Sequence, residues 1–157
     1  MKKAIESLAH IDPKKPMGKE LFDAVARISI SVAIETVALR KNNNNGKIEV
    51  FLTKRLKNET HPGMFHIPGT ILRPRETYEK AIRRIEYKEF KCQIVSYRFI
   101  NIFNNIDELR GHTLQLIYIC SIENINSKNW FSISNLPKSI ISYHGDIVIP
   151  IVKKAFF

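Results

Sequence analysis

Residues 28–40 read ISISVAIETVALR, and Ile28, Ile30, Val32 and Ile34 alternate with small or polar residues. A period of two belongs to a strand with one buried face. The four asparagines at 42–45 and Gly46 predict a hairpin loop, and residues 47–54 (KIEVFLTK) predict the returning strand. Residues 93–103 alternate in the same way through Ile94, Tyr97, Phe99 and Ile102. Residues 112–122 turn apolar on both faces toward their end, as a central strand does. Polar loops are predicted at 57–63, 104–111 and 123–128.

After Thr77 the period changes. Tyr78, Ala81, Ile82, Ile85 and Glu89 fall at offsets 0, 3, 4, 7 and 11, one stripe of a helix that Thr77 can cap. Glu89 closes this otherwise apolar stripe, and a carboxylate on a buried face is costly unless a cation or hydrogen-bond donors meet it. Trp130 to Ser132 predict a strand end entering a short helix capped by Ser134. Residues 146–157 predict the last helix, with Pro150 in its first turn or breaking it. Residues 2–9 predict a short helix, and 18–27 either a second helical segment or extended chain. Strands, helix, strands and terminal helix together predict an α/β fold with a mixed sheet between helices.

At 157 residues the chain is long enough for one domain with a real core. Lys and Arg outnumber Asp and Glu by 25 to 15, a formal charge of +10. That field either concentrates anionic ligands such as nucleotides or nucleic acid, or serves solubility alone. No apolar run reaches about 18 residues, so no membrane span is expected. The two N-terminal lysines precede no apolar core or small-residue cleavage site, so no secretory signal is expected either. Cys92 and Cys120 lack C-x-x-C spacing and sit beside apolar residues, which predicts buried free thiols in a reducing, cytoplasmic compartment. No Gly-rich P-loop, zinc cluster or serine-triad pattern appears, and nucleic-acid binding has no motif behind it beyond net charge.

Residues 64–92 (MFHIPGTILRPRETYEKAIRRIEYKEFKC) resemble the Nudix box, G-x5-E-x7-R-E-U-x-E-E-x-G-U, where U is aliphatic. Pro68-Gly69 then precede the box, Glu76 falls on its first Glu, Arg84 on its Arg, and Glu89 on the second residue of the E-E pair. Thr70 and Lys91 stand where the two box glycines belong, and Ile85 and Lys88 where two metal-binding Glu residues belong. The resemblance implies an α/β/α sandwich over residues 28–157, with 1–27 as an N-terminal extension. It also implies Mg²⁺-dependent hydrolysis (Mn²⁺ substituting) of a nucleoside diphosphate linked to a further group. The box is most similar in pattern to the depleted one of GDP-mannose mannosyl hydrolases, where an aliphatic residue follows the Arg and an Ala precedes the last Glu. Those enzymes hydrolyse at the sugar carbon and draw metal ligands from a carbonyl near the box glycine and from a later loop.

Carried onto this chain, the resemblance makes Glu89, Gly69 and Asn124 the metal ligands, and Glu76 with Arg84 a structural pair tying the box loop to its helix. Arg55 and Lys88 are the substrate-binding candidates; the Lys88 ammonium would either repel the metal or bind the diphosphate as a point charge. Glu123 and His112 are the catalytic candidates, with His66 and His144 as further possible bases, although a lone His is more often structural. Asn124 and Ile125 align with a Gln-His pair of the mannosyl hydrolases, and Ile125 has no proton to exchange. Glu86 lies one position out of register and is expected to face solvent. Two readings result: a divergent hydrolase of a nucleoside diphosphate derivative such as a nucleotide sugar, or an inactive module binding an anionic ligand such as a nucleotide or RNA.

Overall fold

A computed structural model describes residues 2–13, 15–123 and 127–156. Two short helices, α1 (Lys2–Ala9) and α2 (Lys19–Ala26), precede the long strand β1 (Ser31–Lys41). β2 (Ile48–Phe51), β3 (Thr53–Lys54), β4 (Phe65–His66) and β5 (Gly69–Ile71) lead to helix α3 (Tyr78–Ile85). β6 (Ile94–Asn105), β7 (Thr113–Ile122), β8 (Trp130–Ser132) and α4 (Ile149–Phe156) complete the chain. The main sheet runs β6-β7-β1-β2-β8, with β5 also paired to β1; β3 and β4 form a separate pair. β1 and β7 are parallel and the remaining pairs antiparallel, so the sheet is mixed as expected.

Two apolar layers make it a sandwich. On one face Ala81, Ile82 and Ile85 of α3 pack with Phe90 against Ile34, Ala38 and Leu116. On the other, Val148, Ile149 and Val152 pack against Val37, Val50 and Ile117. Adjacent β1 residues thus serve opposite layers, as the pleat requires. Among the described residues no helix is long and apolar enough to cross a membrane.

Several local expectations change. β1 begins at Ser31, where pairing with Thr113 of β7 starts, and leaves Ile28 and Ile30 86% and 60% exposed. Their alternation precedes the sheet and has no partner strand among the described residues. The returning strand breaks at Leu52: β2 pairs with β8, whereas Thr53 turns to pair with His66. The helix expected after Ser134 does not form; residues 133–135 make a turn. α3 gives way to a π-helical turn, Glu86–Phe90, which ends at Lys91 in the left-handed conformation (φ 59°) with its N–H donating to the Glu86 carbonyl. Lys91 occupies the glycine position of the box pattern, and its backbone adopts the conformation that favours glycine. Residues 142–143 and a second π-helical turn, His144–Val148, run without a break into α4, so Pro150 lies inside a continuous helical segment and neither opens it nor breaks it. Gly111 (φ +132°) seats α2 on the β6–β7 connection, since a Cβ there would lie 2.2 Å from the Ala26 carbonyl oxygen.

Candidate functional site

β1 carries Glu35 into the centre of the sheet, opposite Gly69 of β5 and beside Ile117 of β7. Only 8% of Glu35 is exposed. A Cβ on Gly69 would fall 2.6 Å from Glu35 Oε2 and 2.7 Å from the Ile34 carbonyl oxygen, so glycine alone leaves this carboxyl its space. Burial pushes the Glu35 carboxyl up to about 8, against the opposing charge of Arg55. His144 faces it, Nε2 lying 3.8 Å from Oε2. The Ile67 N–H donates to His144 Nδ1 (2.9 Å), which leaves the neutral ring's proton on Nε2. Burial, then His66 and Arg55, hold His144 well below the ordinary imidazole range. At neutral pH the two are therefore both uncharged, and their proximity is not an ion pair.

The π-helical turn after α3 presents Glu89 to the same region. The Thr53 hydroxyl donates to Glu89 Oε2 (3.1 Å) and lies 2.9 Å from His66 Nε2, itself 3.7 Å from that carboxylate oxygen. His66 Nδ1 donates to the Ile67 carbonyl (2.8 Å). Burial and then Arg55 press His66 down to about 4, so Nε2 is an acceptor that shares the Thr53 proton with Glu89. Burial raises the Glu89 carboxyl, opposed by Thr53 and Arg55.

These groups open onto one cavity of about 280 Å³. Four carboxyl groups line it, those of Glu35, Glu59, Glu89 and Glu108, interleaved with the cations Arg55, Arg84, Lys88 and Arg110. Arg55 approaches Glu59 (3.8 Å) and Arg110 approaches Glu108 (3.5 Å). Arg84 is committed elsewhere. Its Nε donates to Glu76 Oε1 (3.0 Å) and Nη2 to Glu76 Oε2 (2.7 Å), a two-pronged fork. Nη2 also meets the Ile71 carbonyl (2.9 Å), Nη1 meets the Thr70 hydroxyl, and the Arg73 N–H donates to Glu76. Burial alone would raise the Glu76 carboxyl, but Arg84 and the Arg73 amide outweigh it and hold it below the usual range. Loop and helix are thereby pinned on the cavity wall.

The structure thus gathers Glu89, Gly69, Arg55 and Lys88 around one cavity. His112 does not line it; just before β7, its Nε2 meets Oδ1 of Asn104 near the end of β6. Glu123 accepts from the Gln93 N–H (3.0 Å) and lines a different depression, beside Arg83 and Glu86. Asn124 lies outside the described residues. Glu86 does not face solvent freely: its Oε1 accepts from the Ile94 N–H (2.7 Å). Ile85, at a metal-ligand position of the box pattern, is 1% exposed and belongs to the core. Glu35 is the residue that sequence reasoning passed over. Its signal was available, one carboxylate inside the apolar run VAIETVAL.

Among the described residues no group of three or more His, Cys, Asp or Glu side chains is arranged to hold a metal ion. Mg²⁺ asks for less, since it keeps several waters and takes one or two carboxylates plus substrate phosphates. Glu35 and Glu89 suit it, because both are carboxyls whose ionisation burial disfavours and a divalent cation would restore.

Sheet order, box helix and cavity together define the Nudix fold. A NUDIX domain of NrtR from Shewanella oneidensis, solved in complex with ADP ribose, superposes with a TM-score of 0.65 at 15% identity over 98% of each chain. A MutT NUDIX hydrolase from Burkholderia pseudomallei gives 0.64 at 18% identity, over 79% of this chain and 98% of its own. A mutT/nudix family protein from Listeria innocua gives 0.63 at 13% identity, over 82% and 94%. No family model and no curated protein sequence matches the chain.

Proposed function

We propose that the cavity hydrolyses a nucleoside diphosphate derivative, a nucleotide sugar or a compound like ADP-ribose, with Mg²⁺ or Mn²⁺ held by Glu89 and Glu35. The observation that carries this reading is the pair of desolvated carboxyls in one cavity with Arg55, Lys88 and Arg110. The bound metal would neutralise diphosphate charge and lower the pKa of the attacking water. Arg55 and Lys88 bind diphosphate oxygens, and Thr53, bonded to Glu89 Oε2, fixes the direction of that carboxylate. The Glu76–Arg84 fork positions the strand–helix junction without touching substrate. The proton released from water passes to a cavity carboxylate outside the metal pair, Glu59 or Glu108, since His112 and Glu123 lie elsewhere. Both thiols are free, in keeping with a cytoplasmic site of action.

Ile85 in the core and Lys88 in the cavity favour a second reading, in which the site binds such a nucleotide without turning it over. A panel including ADP-ribose and GDP-mannose, with sugar release and phosphate-ester release measured separately, separates the two. Hydrolysis that needs Mg²⁺ and disappears in Glu89→Gln supports the enzyme. Binding without release supports the second reading, and neither binding nor release removes both.

A further inference from the structure

β6 is the outer strand of the main sheet, and among the described residues no strand pairs with its far side. Its sequence, IVSYRFINIFNN, has no proline, lysine or carboxylate and holds one charge, Arg98. Such residues ordinarily blunt a long edge, whose outward N–H and C=O groups template further pairing. Two bulges, at Ile94/Ser96 and Phe99/Asn101, bracket a regular run over residues 96–99. Glu86 takes the Ile94 N–H and the Asn101 side chain that of Ile102, so the side-chain caps stop short of this run at either end. Tyr97 lies opposite Cys120, Phe99 opposite Tyr118 and Ile102 opposite Leu116, which puts all three on the face that α3 covers further in. The helix does not reach them: Tyr97, Phe99 and Ile102 are 42%, 47% and 50% exposed, and Val95 69%. The Tyr118 ring meets Tyr97 and Phe99 edge-on, with centroids 5.9 and 5.5 Å away, and holds both rings in place.

We infer that this edge pairs with β6 of a second copy of the chain, antiparallel about a twofold axis, so that one sheet runs through both molecules. Val95, Tyr97, Phe99 and Ile102 together expose about 400 Å² on each copy, taking half of the roughly 200 Å² that a large side chain carries. Two copies, with the backbone edge added, pass the ~1,000 Å² of a specific interface. Charge decides the register. An axis through Arg98 would set two guanidinium groups opposite each other, which is unfavourable. An axis through Tyr97 instead brings Arg98 to Ser96 of the second copy, and Phe99 to its Val95. Apolar groups then face apolar groups, and the cation faces a hydroxyl. A charged peptide would find one cation on this strand, whereas a second copy of the same near-neutral strand matches it along its length. None of these residues lines the site cavity, so the pairing leaves that cavity open.

Sedimentation equilibrium of the full chain from about 1 µM to about 1 mM tests this. Wild type should pass from monomer to dimer within that range. The dimer should tighten as salt rises from about 0.05 to about 0.5 M, because two chains of charge +10 repel each other. Tyr97→Glu sets like charges opposite each other at the axis and should weaken the dimer at least about 100-fold, whereas Tyr97→Phe should keep it. Val95→Lys, at the most exposed of the four positions, should also weaken it while retaining the circular dichroism of wild type, and it carries the test if Tyr97→Glu fails to fold. Outward amides of residues 96–99 should exchange more slowly as wild-type concentration rises, and show no such change in Val95→Lys. A wild-type chain still monomeric at about 1 mM would overturn the inference. So would a dimer that both charged variants leave intact, or one that gives the β6 amides no protection.

Discussion

Glu35→Gln preserves the shape of a buried side chain and removes its ionisation. In the unfolded chain the carboxyl titrates near 4.5, and in the fold burial pushes it up to about 8. Below 4.5 both states hold the proton and the group exerts no pH-dependent effect. Between 4.5 and 8 the unfolded chain has released the proton while the fold retains it, so rising pH favours unfolding. Above 8 both are ionised and the loss is complete. At about 1.4 kcal/mol per pH unit, the interval from 4.5 to about 8 amounts to about 5 kcal/mol as an upper bound. Urea denaturation of both proteins with chelator present, from about pH 4 to about pH 9, reads the difference. Wild type should lose stability relative to Glu35→Gln across that window and level off above it. Added Mg²⁺ should flatten the curve, since a metal-bound carboxylate is ionised in the fold too. A difference that stays constant with pH in chelator would refute the burial argument, and a slope indifferent to Mg²⁺ would remove Glu35 from the metal site.

Arg84→Ala strands a carboxylate on a wall where both partners are mostly buried, and should cost about 3–5 kcal/mol, read as a drop of roughly 10 °C in melting temperature; Arg84→Lys, which cannot fork, should restore only part. Gly69→Ala drives a Cβ toward the Ile34 carbonyl, which is backbone and cannot swing aside; it should cost about 1–3 kcal/mol and abolish stabilisation by Mg²⁺ in a thermal melt. Thr53→Val removes the hydroxyl that links Glu89 to His66; Mn²⁺ titration should show weaker binding, with about 1–2 kcal/mol of stability lost. Lys91→Gly relieves a left-handed backbone and should stabilise the fold by about 0.5–1 kcal/mol by chemical denaturation.

What the sequence revealed follows from the range of each signal. The helical stripe of Ala81, Ile82 and Ile85 is local, and those three residues are buried as their spacing requires. Glu89 stood out because it ended that stripe. Glu35 breaks an apolar run in the same way, but in a strand every second position is expected to be polar, which concealed it. Its burial comes from β5 and β7 flanking β1, pairings that join residues far apart in the chain. His66 and His144 meet around the backbone of Ile67 by the same long-range folding, and nothing near either one announces it. The π-helical turn inserts itself without a residue signature, and the Glu86 bond to Ile94 depends on where β6 begins. Ile28 and Ile30 show the converse, a strand period with no strand beside it.

The central claim is that a divalent cation sits between the box helix and β1. Anomalous diffraction from crystals soaked in Mn²⁺ tests it most directly. The account predicts a peak about 2.1 Å from a carboxylate oxygen of Glu89, with Glu35 in the same coordination sphere. A peak elsewhere, or a Lys88 ammonium filling that space with no ion present, would contradict it.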